Sequence, residues 1–174
     1  MTAHDSQENL CSAMLQAMRR LAKSVSVISC RHEGQRYAMS VSAVDSLSAD
    51  PPSLLICINR SSSIYPPLSH GVDFCVNILA ADQQDIAQAC AGRLKGEARF
   101  TAGEWDDNGG CAPYLTNAQA SIICRQDGRF EYGTHTVFIG RIGEITVGET
   151  VSPLVYVDGT YTTSTPLPAA LACA

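Results

Sequence analysis

The chain lacks the features that would attach it to a membrane or to nucleic acid. None of its hydrophobic runs approaches the roughly 20 residues that a membrane-spanning helix requires. The first residues, MTAHDSQENL, are polar and mildly acidic, without the basic and apolar regions of a secretory signal peptide. The formal net charge of -5 disfavours a partner that is held through its phosphate backbone. These absences predict a cytoplasmic protein with no membrane or nucleic-acid partner.

Fingerprints of common nucleotide and metal sites are missing as well. The motifs G-x-G-x-x-G and G-x-x-x-x-G-K-[ST] do not occur, which excludes a Rossmann or P-loop nucleotide site of the usual kind. No cysteine pair has C-x-x-C spacing and no histidine stands at metal-ligand spacing, so neither a disulfide framework nor a metal site is predicted. A catalytic cysteine stays open, although none stands beside an evident base. The eight cysteines are instead predicted to pack as small hydrophobic residues: Cys11, Cys30, Cys57, Cys75, Cys90, Cys111, Cys124 and Cys173.

What the chain does contain is a series of short apolar segments separated by turn signals. Its 174 residues, 45% of them hydrophobic, favour a single domain over 1–174 with its core at about 14–163. The dipeptides Glu33–Gly34 and Asp158–Gly159 are predicted to form hairpin turns. Strands are predicted at 25–30, 36–44, 53–58, 74–79, 118–125, 134–146, 154–157 and 160–163.

Two helices are predicted to flank these strands. The first covers 5–22, with a capping box that begins at Asp5, and the second covers 82–91, with Asp82 as its N-cap and Gly92 after its end. The polar, glycine-rich segment 93–113 is expected to be a long surface excursion, and the tail from Thr165 a loose end or a partner contact. Few helices among many short strands favour a mainly β fold, an antiparallel barrel or sandwich with short flanking helices.

Two polar segments at the ends of apparent strands suggest a binding groove. The first is 40–43, which reads Ser-Val-Ser-Ala, and the second is 59–63, which reads Asn-Arg-Ser-Ser-Ser directly after the apolar strand 53–58. Small hydroxyl residues and free backbone N–H groups at the end of a buried strand can hold an anion. Together with His135 far downstream, these segments predict a groove for a flat, phosphorylated cofactor.

An ordered series of short motifs resembles the short-chain flavin reductases, the small partner enzymes of two-component flavin monooxygenases. Each motif alone is weak, but the series is specific and runs from about Met14 to Tyr161. The stretch PPSLLICIN and the triplet at 133–135 are most similar to the reductase component of 4-hydroxyphenylacetate 3-monooxygenase. In chain order the motifs are Ala38–Ala43, Asp50–Pro52, Cys57–Asn59, Phe74–Leu79, Arg99–Phe100 and Gly133–His135.

The resemblance implies a split antiparallel β-barrel of the FMN-binding type that forms a homodimer. Such a protein binds FMN or FAD, takes hydride from NADH or NADPH, and supplies reduced flavin by diffusion to a partner oxygenase. His135 would position the nicotinamide, and Thr134, which replaces the aspartate of many members, favours hydrogen bonding over proton transfer. The residues expected to bind the flavin are Ser40, Val41, Ser42, Ala43, Ser46, Asn59, Arg60, Ser61, Ser62, Ser63 and Asn77.

Several of these residues also fit a purely structural interpretation. The serines of 40–43 could be the polar face of a half-buried strand, and 61–63 an ordinary solvated loop. Asn77, inside an apolar strand, could satisfy neighbouring backbone groups, and His135 could be structural. The basic segment 93–99 could accommodate the adenosine of FAD or a nicotinamide phosphate, so FMN against FAD and NADH against NADPH stay open.

Two other functions are open at this level. The same fold could pass electrons from flavin to another acceptor, such as the cobalt of a corrin. It could also be a flavin-binding or storage module without turnover. Oxidation of NADH with and without free flavin separates the enzymes from the module, and candidate acceptors separate the two enzymes.

Overall fold

The computed structural model describes residues 3–107 and 112–167, with side chains described from residue 7 onward. The predicted tail therefore lies outside the described residues beyond residue 167, as do Cys111 and Cys173. None of the helices within the described ranges is both long and apolar enough to cross a membrane.

Antiparallel strands are the most abundant secondary structure of the described chain and clearly exceed the helices, which confirms the predicted mainly β fold with flanking helices. In chain order the elements are α1 (Ala3–Met18), β1 (Lys23–Ser24), β2 (Ser26–His32), β3 (Gln35–Val41), β4 (Val44–Ala49), β5 (Pro52–Asn59), α2 (Tyr65–Ser69), β6 (Phe74–Ile78), α3 (Gln84–Gln88), a π-helical turn (Ala89–Arg93), a 3-10 helix (Gly96–Thr101), β7 (Trp105–Asp106), β8 (Tyr114–Leu115), β9 (Ala120–Tyr132), β10 (His135–Val147), β11 (Leu154–Val157) and β12 (Thr160–Thr163).

One seven-stranded antiparallel sheet, in the order β3-β2-β6-β9-β10-β5-β4, organises the fold. Its two edge strands, β3 and β4, are consecutive in the chain and are joined only by Ser42 and Ala43. Seven flat strands would hold these edges about 29 Å apart, whereas so short a link spans only about 10 Å. The sheet must therefore curl until its edges approach each other at this end, where the N–H of Cys57 donates to the carbonyl of Ala43 at 3.0 Å.

The predicted strand over 36–44 is wrong at its C-terminal end, because β3 ends at Val41 and this link follows it. The chain turns from one edge of the sheet to the other at Ser42–Ala43, so the prediction covered β3 and the first residue of β4. The serine-rich segment after it is strand β4, which the sequence pattern did not indicate because most of its residues are exposed. Among the described residues β3 and β4 do not pair with each other, so the sheet is not closed by hydrogen bonds.

Apolar side chains cover both faces of the curled sheet. On β2, Val27 joins one hydrophobic cluster and its neighbour Ile28 joins another, because successive side chains point to opposite faces. The cluster of Ile28 also contains Ile56 of β5 and Phe138 of β10, and both of these strands are separated from β2 by at least two other strands in the sheet. Such residues can pack together only on the concave side, so this cluster fills the inside of the curl.

The second core cluster lies on the other face of the sheet. It combines Val25 and Ala38 with side chains from α3 and from the segment that follows it. Both faces of the central strands are thus covered, and all five residues of 26–30 are buried. Near-continuous apolar strands are typical of sheets that are covered on both sides.

The ends of both predicted helices differ from those in the structure. Helix α1 begins at Ala3, so Asp5 lies inside it, and it ends at Met18. Helix α3 begins after Gln83, which makes no side-chain cap and instead uses its amide to bind residues 80 and 117. At the other end, Gly92 has a φ of 118° within the π-helical turn. That conformation is accessible to glycine, so Gly92 interrupts the helical backbone where a helix end was predicted, although α3 itself ends at Gln88.

The segment 93–113 is not a passive surface excursion. Its 3-10 helix buries Phe100, whose ring lies edge-on against Trp105 with 4.9 Å between centroids. The guanidinium of Arg36 covers the same ring at 4.3 Å from its centroid. Strands β7 and β8 then pair with each other and bring the segment back to the sheet.

The concave core leaves no space for a side chain at Gly140 of β10. An added Cβ would lie 2.6 Å from Cζ of Phe74 and 2.7 Å from Cβ of Cys124, both in the buried cluster. We expect Gly140→Ala to lower the free energy of unfolding by about 1–3 kcal/mol, because the core must shift to admit the methyl group. Urea unfolding measures the change.

The matched control for Gly140→Ala is Gly128→Ala on the neighbouring strand. There an added Cβ would meet only Cδ1 of Ile139, at an ordinary 3.7 Å. We expect this variant to unfold within about 0.5 kcal/mol of the wild type. Equal unfolding free energies for the two variants would contradict the tight packing at Gly140.

Candidate functional site

Three neighbouring cavities, which share lining residues, form a groove that follows β3. The first, about 220 Å³, is lined by Ser62, Ser63 and Arg99 and reaches Ser40. The second, about 280 Å³, continues from Ser40 to Ser42. The third, about 490 Å³, continues from Ser42 towards α1 and β5. We call these three parts the loop end, the middle and the helix end of the groove.

The loop 59–63 is held in a tight turn by its own polar groups. Oδ1 of Asn59 accepts hydrogen bonds from the N–H and from Oγ of Ser61, both at 2.9 Å. The carbonyl of Asn59 accepts the N–H of Ser62 at 3.0 Å. The N–H groups of Ser61 and Ser62 are thus already used, contrary to the expectation that they would hold an anion.

Ser62 nevertheless points to a ligand at the loop end. Its Oγ is buried but has no hydrogen-bond partner among the described residues. A buried hydroxyl without a partner costs about 1–3 kcal/mol unless another molecule completes its hydrogen bonds. Because Ser62 lines the cavity, a bound acceptor can supply that partner.

The cation at this loop is Arg99, and not Arg60 as predicted. Arg60 donates to the carbonyl of Gly133 at 2.5 Å and lies 3.4 Å from the carboxylate of Glu131, so its guanidinium is directed to the β9–β10 turn. Arg99 donates to Oγ of Ser63 at 3.2 Å, and its side chain is only partly buried. Its other bonds are to the carbonyls of residues 38 and 94.

The sequence did contain a signal for Arg99, as one residue of a family motif and of the basic segment 93–99. It was not assigned to the loop because it is 36 residues from Ser63 along the chain. The 3-10 helix brings it back, since burial of the neighbouring Phe100 fixes that helix against β3.

The middle of the groove is lined by the predicted polar segment. Oγ of Ser40 donates to the carbonyl of Ala87 in α3 at 2.6 Å, so this hydroxyl ties β3 to the helix and keeps lone pairs for a further donor. Val41 and Ser42 line the same cavity, and Ser42 and Ala43 line the helix end. The structure thus brings 40–43 together with Ser62 and Ser63 of the loop along one groove.

Two tyrosines that sequence reasoning missed line the side of the groove formed by the β11–β12 hairpin. Tyr156 and Tyr161 line the middle, and Tyr156 also lines the helix end. They are direct partners across the hairpin, with ring centroids 5.2 Å apart and planes inclined by 65°. Their proximity could have been predicted from the Asp158–Gly159 turn, because a two-residue turn places the residues at 156 and 161 opposite each other.

His135 lies at the same end of the sheet as the loop. It is the first residue of β10 and is the direct partner of Asn59 on β5. Its Nδ1 is 2.9 Å from Oγ1 of Thr134, and its side chain is half-buried. It lines none of the three cavities, so it stands beside the loop end and not within it.

Besides Arg60 and His135, four predicted residues line none of the three cavities: Asn59, Ser61, Asn77 and Ser46. Asn77 is fully buried, and its Nδ2 donates to the carbonyl of Val27 and to Oγ of Ser29, each at 3.0 Å. Its Oδ1 accepts the N–H of Leu115 at 2.8 Å, so its amide joins the sheet to β8. This supports the structural interpretation of Asn77. Ser46 is exposed on β4 and lines none of the three cavities.

The described buried cysteines behave as small hydrophobic residues. Burial raises the pKa of Cys30 and of Cys124 to about 12 each. Burial also raises the pKa of Cys90, at the loop end, to about 11, although the charge of Arg99 acts in the opposite direction. These thiols stay protonated at neutral pH, which supports packing over nucleophilic catalysis.

Comparison with known proteins gives a consistent result. The family described as flavin reductase like domain matches residues 18–165. The reductase component of the FADH(2)-dependent resorcinol hydroxylase of Rhizobium sp. (strain MTP-10005) is 41% identical over 151 residues, which cover 86% of this chain and 84% of the relative.

Another relative and a solved structure agree. The protein named FMN reductase (NADH) RutF of Variovorax paradoxus (strain S110) is 36% identical over 145 residues, covering 83% of this chain and 81% of the relative. The crystal structure of a flavin reductase domain protein from Arthrobacter sp. FB24 superposes with a TM-score of 0.84 at 28% identity, over 92% of this chain and 99% of the other.

Proposed function

Because the chain belongs to the flavin reductase like domain family, we propose that it is an oxidoreductase that transfers hydride from NADH to flavin and supplies reduced flavin to a partner monooxygenase. The names of two relatives, a hydroxylase reductase component and an NADH-dependent FMN reductase, support this proposal. The observation that carries it within this chain is the unpartnered, buried hydroxyl of Ser62 in a cavity that also contains Arg99.

The loop end of the groove suits a flavin phosphate. Phosphate oxygens accept hydrogen bonds and prefer a cationic donor, which Arg99 provides beside the hydroxyls of Ser62 and Ser63. Donation to a phosphate would complete the hydrogen bonding of Ser62. The chemistry of this donor set therefore fits the phosphorylated end of FMN, or the corresponding phosphate of FAD.

The middle and the helix end suit the ring system. The small residues 40–43 let the backbone approach a planar ring closely, and together these two cavities extend from Ser40 to α1. A bound flavin accepts hydride from NADH, and the protein contributes binding and orientation to that chemistry. His135, held by Thr134 beside the loop end, would orient the nicotinamide by hydrogen bonding.

We further propose that the curled sheet is the split β-barrel of this family, within a single domain at about 14–163 of a cytoplasmic protein. The link at Ser42–Ala43 supports the barrel, because it forces the two sheet edges towards each other. Both core clusters share the strands of this one sheet, which supports the single domain.

A homodimer is proposed from the exposed apolar face of α1. Leu10, Met14 and Met18 lie on this face and are 67%, 53% and 53% exposed. A continuous apolar stripe on an exposed helix is typical of a surface that another chain covers. The strand 53–58, by contrast, packs into its own core through Leu54, Ile56 and Ile58, so it offers less free surface than its sequence indicated.

Light scattering tests the dimer. We expect about twice the chain mass of 18.5 kDa for the wild type. Met14→Glu places a charge in the apolar stripe and should yield a monomer. Ser12→Glu, on the opposite side of the same helix, is the control and should remain a dimer. A monomeric wild type that still reduces flavin would contradict the dimer and leave the activity in place.

Arg99 is the residue whose replacement tests the phosphate site. We expect Arg99→Gln to raise the Kd for FMN about tenfold or more, because a charge-assisted hydrogen bond contributes about 1.5–3 kcal/mol. Arg93→Gln is the matched control, since Arg93 belongs to the same basic segment but interacts with residues 85 and 88 of α3. Titration with quenching of flavin fluorescence measures both values.

Equal losses in the Arg99 and Arg93 variants would mean that general positive charge, and not this groove, attracts the phosphate. Failure of the wild type to bind FMN or FAD at all would contradict the proposed function. Binding without NADH oxidation would instead support a flavin-binding module.

His135→Ala tests nicotinamide positioning. We expect FMN affinity to change less than about threefold, whereas kcat/KM for NADH falls about tenfold to a hundredfold because orientation is lost. His135→Asn keeps a donor and should recover part of the loss, and His70→Ala, at an exposed histidine of α2's C-cap, should have no effect. If His135→Ala loses flavin but keeps its NADH kinetics per bound flavin, the role of His135 is structural.

A further inference from the structure

The tyrosine pair of the β11–β12 hairpin gives the groove an aromatic wall. Tyr161 is partly buried and packs against the core cluster on the outer face of the sheet. Tyr156 is 40% exposed and meets Tyr161 edge to face. The cavity between them and β3 is lined on its other side by Ser40, Val41 and Ser42. One wall is thus aromatic, and the other is made of backbone and small polar side chains.

This wall is fixed by the rest of the fold. Strand β11 pairs with β12 on one side and with β1 on the other, so Tyr156 lies directly opposite Lys23. At the hairpin tip, Arg19 donates from Nε to Oδ1 of Asp158 at 2.9 Å and from Nη2 to its carbonyl at 2.8 Å. The N–H of Asp158 donates back to the carbonyl of Arg19 at 2.9 Å. The aromatic wall therefore has a defined position before any ligand binds.

The phenol groups of this wall are available to a ligand. Within the described parts of the chain, neither Tyr156 nor Tyr161 forms a hydrogen bond through its hydroxyl group. Burial, and to a smaller extent the nearby Tyr156, raises the pKa of Tyr161. Its hydroxyl therefore remains a neutral donor at physiological pH. A partly buried tyrosine usually finds a hydrogen-bond partner.

We propose that Tyr161, supported by Tyr156, binds the ring system of the flavin by packing against it and by donating a hydrogen bond to one of its acceptor atoms. The two unpartnered phenols and the cavity that they line carry this proposal. A planar heteroaromatic ring with acceptors along its edge matches an aromatic wall that carries a donor. The assignment rests on the proposed function, and it separates a ring site at the tyrosines from a phosphate site at Arg99.

Riboflavin and FMN together test the assignment, because riboflavin has the ring system without the phosphate. Both are titrated into the full-length chain, with affinity and residual fluorescence at saturation as readouts. We expect Tyr161→Leu to raise the Kd about tenfold or more for both ligands by the same factor. Arg99→Gln should raise the Kd for FMN and leave that for riboflavin unchanged.

Tyr161→Phe separates the hydrogen bond from the packing. It keeps the ring and should raise both Kd values only about threefold, while the residual flavin fluorescence changes because the phenol no longer contacts the ring. Tyr114→Phe is the matched control, since Tyr114 lies on β8 and its hydroxyl donates to Asp106 outside the groove. It should bind both ligands as the wild type does. If Tyr161→Leu does not fold, Tyr161→Phe and Tyr156→Leu provide the same comparison.

Two results would overturn the assignment. One is that Tyr161→Leu and Tyr161→Phe both fold and bind riboflavin with the affinity and residual fluorescence of the wild type. The other is a loss for FMN without a loss for riboflavin, which would place Tyr161 at the phosphate. In both cases the wild type still binds flavin, so the proposed function survives. A wild type that binds neither ligand would refute the proposed function and this assignment together.

Discussion

The link of two residues between β3 and β4 is the constraint on which the rest of the structure depends. These strands are the opposite edges of a seven-stranded sheet, and Ser42–Ala43 must bridge them. A flat sheet cannot satisfy so short a connection, so the sheet curls and encloses Ile28, Ile56 and Phe138 on its concave side. The same link lines the helix end of the groove, and its small side chains leave the backbone accessible there. Closure of the core and construction of the site are thus consequences of one local feature.

The groove is assembled from segments that are far apart in the chain. Strand β3 provides one side, and the loop 59–63, the 3-10 helix and the β11–β12 hairpin complete it. Hydrogen bonds between these segments hold the geometry: Ser40 fixes α3, and Arg99 fixes the loop through Ser63. Most of the polar groups around the groove have partners within the chain. Among the described residues the hydroxyls of Ser62, Tyr156 and Tyr161 are exceptions, and that of Ser62 is also buried.

Elements with a regular hydrophobic pattern could be predicted from the sequence, whereas contacts between distant side chains could not. The strand 53–58 and the turn at Asp158–Gly159 have local causes, namely apolar continuity and a glycine with positive φ, and both are present. Strand β4 was missed because its residues are polar and exposed, so it resembles a loop. A conformational preference that acts over a few residues is visible in sequence. The path of a long side chain is not.

The cations of the site show this limit clearly. Arg60 is adjacent to the serine loop in sequence, but the β9–β10 turn offers it a carbonyl and a carboxylate, and it turns there. Arg99 reaches the loop only because Phe100 anchors its helix against the core. Asn77 could be recognised as a polar residue within an apolar strand, but its partners on β2 and β8 follow from the tertiary structure alone. Family motifs identified segments that line the groove, and the fold determined which side chains lie there.

The two edges of the sheet have a consequence for self-association of the protein. An unpaired edge strand can template intermolecular β-sheet and hence aggregation. On β3, the guanidinium of Arg99 binds the carbonyl of Ala38, which occupies part of that edge. On β4, Asp45 and Ser46 are exposed, and a charged, polar edge strand disfavours the addition of another strand. Backbone pairing between copies of this chain, which could propagate without limit, is therefore disfavoured at both edges of the sheet.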